Sequence, residues 1–329
     1  MIDIARRRMN MKSTKSKGLA VSLCLAFVLA LGTVTAAAEE KYEEKFEKTE
    51  ALARDGMVYL SNVAGDIEVK TWKEASVKID ALKTSRAATQ AKAKENAALV
   101  TIEITKEGSV LRIETKYPER KRSWGNNSLN VSVSYKLWIP EKASFEGHSV
   151  SGDVDIDPLG GKCDINAVSG DVVVLGAPGL DATIVSGELR VKDIAGDAYL
   201  QTVSGDIRAE GIRGSIETET VSGDIDLLDV SEARSVFAKT VSGDITYRGD
   251  IRPEGQYRLR AHSGDVEMVI PAGSEFDFEA TTFNGTIDSA FEIKVMGKIS
   301  PKEIKGTVGK GGASVRLNTF SGNVDLKKR

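Results

Sequence analysis

Thr202-Val203-Ser204-Gly205-Asp206-Ile207 decides the reading of this chain, because the sequence writes that phrase three times. TVSGDI returns at 220–225 and 240–245, with near-copies at 149–154 (SVSGDV), 167–172 (AVSGDV), 261–266 (AHSGDV) and 319–324 (TFSGNV). The glycines of the phrase are Gly152, Gly170, Gly187, Gly205, Gly223, Gly243, Gly264, Gly285 and Gly322, and an earlier relative holds Gly65. Their steps, from Gly152 onward, are 18, 17, 18, 18, 20, 21, 21 and 37 residues. Short, near-constant steps with no helical stretch between them indicate one coil of a β-solenoid per repeat.

The flanking residues carry the strand signal. Two places after each glycine stands an apolar residue, as in Val154, Val172, Leu189, Ile207, Ile225 and Ile245. Polar residues such as Asp155, Arg190, Arg208 and Asp226 fill the next place, which is period two with one face buried. A second strand precedes each phrase, as in Ala198/Leu200 and Ile216/Thr218. The two strands are out of phase, so a bend is expected at Thr-Val, with Thr stacked inside and Val buried. Glycine supplies the bend. The acids Asp153, Asp171, Asp206, Asp224, Asp244 and Asp265 are expected to bond a nearby backbone N–H within the turn. The predicted fold is all-β, a right-handed β-helix of 18–21 residues per coil. About nine coils at strand spacing make a rod on the order of 40 Å long.

Residues 39–143 repeat poorly. They read as a β-rich region continuous with the solenoid of 144–329, with one helix over 84–98, rich in Ala, Lys, Gln and Glu. The stretch 288–312 breaks the period and reads as a side excursion before a final coil at 313–326. The acidic start at 39–44 and the basic finish Lys327-Lys328-Arg329 are expected to blunt the open strand edges. The loop 118–128 carries Arg120, Lys121, Arg122 and Trp124 and is a candidate polyanion or glycan grip.

The first residues differ from the rest. Six basic residues precede an apolar run, 19–35, that ends in Ala36-Ala37-Ala38, which reads as a secretory signal peptide over 1–38. Its removal takes six bases and Asp3, leaving 39 Lys+Arg against 47 Asp+Glu, a net charge of −8. That balance points away from nucleic acid. No membrane span is expected after cleavage. Cys163 alone remains, in a strand-like setting that marks a small buried residue rather than a reactive thiol.

Calcium takes six or more oxygens, and the calcium-binding β-roll repeats a nonapeptide at half this period. Here there is one Gly-Asp per coil, so no metal or cofactor is assigned. Repeated, equivalent serines argue against any one as a nucleophile, and His148 and His262 are the only histidines. Asp155, Arg190, Arg208, Asp226 and Glu267 share a face and are the candidate groups for glycan cleavage. The single glycine leads into a strand, not a helix, so it is no phosphate cradle.

Taken together, Val63–Trp72 (VAGDIEVKTW), Trp138-Ile139-Pro140, the run of VSGD coils, and the closing GKGGASVRLNTFSGNV at 309–324 resemble the bacterial putative-adhesin family of β-strand-repeat envelope proteins. The resemblance spans roughly residues 54–329. It implies a β-helical fold and an exported bacterial protein, and it carries no catalytic residues. The expected function is an exported, non-enzymatic, adhesin-like binding or structural module of the cell envelope, periplasmic or at the surface, with a glycan or protein partner. The alternatives are a glycan-active lyase or hydrolase and an accessory of envelope stress signalling.

Overall fold

A computed structural model describes residues 39–118, 129–296 and 300–329. The predicted signal peptide and the loop residues Arg120, Lys121, Arg122 and Trp124 lie outside the described residues. Two long sheets of 13 and 14 strands face each other, and the chain alternates between them. A typical coil gives Ala198–Ser204 to one sheet and Ile207–Glu210 to the other. We call the sheet of the longer strands the long-strand sheet and its partner the short-strand sheet. Successive coils pair in parallel and in register, Leu200 opposite Thr218 and Ile207 opposite Ile225. Each sheet holds a continuous run of eleven parallel strands. At strand spacing that run is roughly 50 Å long, longer than the nine-coil expectation.

The alternation seen in the sequence fills the space between the sheets. Ile207, Ile225, Ile245 and Val266 form one inward column from the short-strand sheet, and all are fully buried. Leu200, Ala182, Ala238 and Leu259 form its counterpart in the long-strand sheet. Burying each larger aliphatic stabilises the fold by about 1.5–3 kcal/mol. Tyr247 and Tyr257 meet edge to face at 5.9 Å inside this column. Their hydroxyls donate to the carbonyls of Asp250 (2.6 Å) and Ala233 (2.9 Å), so neither is left unpaired.

The N-terminal elements are β1 (Glu40–Ala51), β2 (Met57–Ala64), β3 (Ile67–Trp72), β4 (Ser76–Ala87), α1 (Gln90–Ala98), β5 (Thr101–Glu107), β6 (Val110–Lys116) and β7 (Val131–Pro140). β2 and β3 form a coil directly against Ser144–Ile156. β6 and β7 form the next coil outward. Antiparallel β4 and β1 then close one sheet, and antiparallel β5 the other. The helix is shorter than the sequence suggests. Residues 84–87 stay in β4, where alternation buries Ser85 and Lys83, and the helix begins only where Thr89 accepts from the Lys92 N–H. Ala93 and Ala97 are its buried face, against β4 and β1.

Two expectations about the ends are corrected. The phrase at 319–324 does not close the rod. Its strands, Ala313–Ser321 and Val324–Lys328, insert between the coil of Ala261 and the coil of Thr282. The excursion 288–312 supplies the chain length for that return. Within it, Glu303–Val308 pairs antiparallel with Phe276–Asn284 and closes the long-strand sheet. The basic finish therefore lies exposed along the rod and not at its end: Lys327 bonds Glu267 and Arg329 pairs with Asp250. The charged β1, with Lys41 bound to Glu43 and Lys48 to Glu50, is an edge strand.

Candidate binding surface

The repeated phrase forms one corner of the rod, where each long strand hands over to its short partner. Thr202, Thr220 and Thr240 are buried, as expected. The valines are not: Val203 and Val221 are each 47% exposed and Val241 is 40% exposed. The strand keeps its alternation through Thr202 and Val203, so the phase breaks one step later, at Ser-Gly-Asp. The buried-valine expectation fails for that reason.

The structural roles of the other letters follow from the stacking. Thr220 and Thr240 donate to the carbonyls of Gly205 and Gly223 on the neighbouring coil, at 3.3 and 3.1 Å. Gly205 has φ +147°, and a Cβ there would lie 1.9 Å from the Gly187 carbonyl oxygen. Coils could not approach to strand spacing with any side chain at that place. Gly285, at the last coil, lacks the left-handed φ, but a Cβ there would likewise lie 1.8 Å from the Gly322 oxygen. The aspartates do not close their own turn. Each reaches across coils: Asp206 Oδ1 accepts the Asp224 N–H and Asp224 Oδ1 the Asp244 N–H, both at 2.8 Å. The same ladder runs through Asp153, Asp171, Asp244 and Asp265 to Asn323.

The outcome is a ridge that the sequence reading missed. Val63, Val150, Val168, Val185, Val203, Val221 and Val241 stand exposed in consecutive coils. His262, Phe320 and Phe283 continue the row. The three rings stack, His262 on Phe320 at 5.0 Å and Phe320 on Phe283 at 4.8 Å, and Phe283 is 71% exposed. A row of exposed serines and then the aspartates run beside the ridge. The signal was present in the opposed phases of the two strands, which require a break between Leu200 and Ile207 without fixing its place.

The candidate cleavage groups do share a face, in one outward column of the short-strand sheet that runs Asp155, Val173, Arg190, Arg208, Asp226, Thr246, Glu267. Arg208 pairs with Asp226 at 3.7 Å, Arg190 with Glu188, and Glu267 with Lys327. Asp155, two strands from Arg190, lines a cleft of about 440 Å³ with Asp66, Glu68, Asp80, Tyr135 and Lys136. Burial and the neighbouring Asp153 and Glu68 push its carboxyl up. Glu68, its cross-strand neighbour, is held low by Lys136 and Lys70, at 2.8 and 2.9 Å. His148 bonds Glu146 at 3.0 Å. The Cys163 thiol is buried and pushed up to about 12, which leaves it without thiolate character near neutral pH. Among the described residues no three His, Cys, Asp or Glu side chains converge to hold a metal ion, and no helix is long and apolar enough to cross a membrane.

Comparison with known proteins places this architecture. No curated protein matches the sequence. Solved structures similar to it include a putative adhesin from Parabacteroides distasonis, 14% identical, covering 86% of this chain and 97% of that one, with a TM-score of 0.44. A putative adhesin from Bacteroides fragilis is 12% identical, with coverages of 86% and 97% and a TM-score of 0.39. The profile described as Toastrack DUF4097 matches residues 58–327, almost the whole of the two-sheet solenoid, and the chain belongs to that family.

Proposed function

We propose that this chain is an exported, non-enzymatic binding module of the bacterial cell envelope, and that its corner ridge takes an extended envelope glycan. The carrying observation is the unbroken row from Val63 to Phe283, exposed over ten coils. Apolar side chains at strand spacing offer contacts to the C–H faces of successive sugars. The serine hydroxyls and the outward carboxylate oxygens beside them offer hydrogen bonds to sugar hydroxyls. A rigid rod presents these groups without an ordering cost on binding.

The test uses protein expressed with its own leader, purified, and mixed with isolated peptidoglycan sacculi. Cosedimentation is expected, and Val203→Asp with Val221→Asp should abolish it while leaving the melting temperature unchanged. Absence of wild-type binding, or full binding by the ridge variant, counts against the reading. Glu68 and Asp155, cross-strand neighbours in the cleft of about 440 Å³, favour one second reading, glycan cleavage by paired carboxyls. Release of reducing ends from the sacculi, lost in Asp155→Asn, would select it.

A further inference from the structure

The outer face of the long-strand sheet is electrically divided along the rod. Its central outward column runs, coil by coil, Glu146, Asp164, Asp181, Tyr199, Glu217, Phe237, Arg258, Arg316, with Tyr59 and Arg112 beyond the first end and Glu279 and Lys305 beyond the second. The first half is acidic. Burial and the neighbouring Asp181 and Glu146 push the Asp164 carboxyl up, as expected of crowded like charges. The second half opens on Glu217 and is basic beyond Phe237, and the adjacent column adds Lys239 and Arg260 to it. Glu219 and Glu279 partly offset Lys239 and Arg316, at 3.3 and 3.7 Å. Arg258 and Arg260 are exposed and make no ion pair among the described residues. Tyr199 and Phe237 lie half-buried near the border between the halves, at the end of a groove of about 870 Å³ that follows the acidic half.

We infer that this face binds a second copy of the chain, antiparallel, about a two-fold axis near Tyr199 and Glu217. A two-fold contact is self-complementary, so each residue meets the place its partner residue occupies on the other copy. Reversing the column about the gap between Tyr199 and Glu217 sets Asp164 opposite Arg258, and Glu146 opposite Arg316. Asp181 then meets Phe237 and Tyr59 meets Glu279, and the like charges left opposite are Arg112 and Lys305 at the two ends. A parallel pairing would set acid on acid and base on base. Leaving the ridge free, eight coils at strand spacing by five residues of strand is roughly 600 Å² of face, the low end of a specific contact per partner. The corner ridge lies at the border of this face, so a dimer would carry two ridges.

Charge reversal tests the inference. Protein expressed with its own leader is studied by sedimentation equilibrium, with circular dichroism and melting to check the fold. The wild type is expected to be dimeric at low salt, and to dissociate as salt rises. One variant, Asp164→Arg with Asp181→Arg, makes both halves basic; another, Arg258→Glu with Arg316→Glu, makes both acidic. Each should weaken self-association by about tenfold or more. Mixed, the two folded variants should form a one-to-one heterodimer. A monomeric wild type, variants that dimerise as the wild type does, or failure of the mixed variants to associate would overturn the proposal. Binding of oligolysine to the acidic groove of a monomeric wild type would assign the face to a cationic partner instead.

Discussion

The backbone N–H of Asp224 donates to Oδ1 of Asp206, one coil away, at 2.8 Å. That bond makes the aspartate column a fastening between coils, where each carboxylate satisfies an amide that parallel pairing leaves free at the corner. Replacing Asp224 by Ala removes the acceptor for the Asp244 N–H, and should cost about 1 kcal/mol, since the amide can still reach water. Asp224→Asn should be nearly neutral, because Asn323 makes the same bond to the Thr286 N–H at 3.0 Å. Urea denaturation of both variants checks the contrast.

The ladder has a gap at Glu188. Its longer side chain turns to Arg190 and leaves the Asp206 N–H without a carboxylate partner. Glu188→Asp is expected to complete the column and stabilise the protein by about 0.5–1 kcal/mol, against the small loss of an exposed ion pair. A raised urea midpoint supports this account of the corner acids; a lowered one speaks against it.

Val203 and Ile207 stand four residues apart in one phrase, and their costs should differ sharply. Val203 faces solvent, so Val203→Ser should change stability by no more than about 0.5 kcal/mol. Ile207 is fully buried, and Ile207→Ala should cost about 2–5 kcal/mol. Equal costs would restore the buried-valine reading.

These corrections show what the residues carried and what they did not. The inward places of Ile207, Ile225 and Leu200 were legible because period two in a strand has one buried face. The valines were misread because the phase break could fall at Thr-Val or one step later, and both satisfy the flanking strands. The position of Ala313–Lys328 was illegible because register fixes how coils pair, not which coil follows which. His262, Phe283 and Phe320 replace valine at the same place on three adjacent coils, and either order of those coils would let the rings stack, so they gave no hint. The divided charge of the long-strand sheet was hidden for the same reason, since Arg258 and Arg316 become neighbours only through that insertion.

The Glu68–Asp155 pair predicts a pH response of opposite signs. Asp155 is displaced above its ordinary 3.8, so its ionisation disfavours the folded state, and its contribution worsens as pH rises through the raised value. Glu68 is displaced below its ordinary 4.5, so its contribution is present above that value and is lost as pH falls through the lowered one. Asp155→Asn should therefore raise the melting temperature at neutral pH, with the gain vanishing in acid. Glu68→Gln should lower it at neutral pH, with the loss vanishing in acid. Melting curves from pH 7 down to about 3 read both trends.

The central claim is that the repeated phrase is architecture and that recognition lies in the columns it displays. Gly205 tests this most directly, because its left-handed backbone and its contact with the Gly187 oxygen leave no room for a Cβ. The measurement is chemical unfolding of Gly205→Ala beside the wild type, with sacculus binding followed on the same samples. The account predicts a loss of more than about 3 kcal/mol of stability, with binding falling only as the folded fraction falls. Unchanged unfolding together with lost binding would contradict it, and would return the phrase to the role of a functional site.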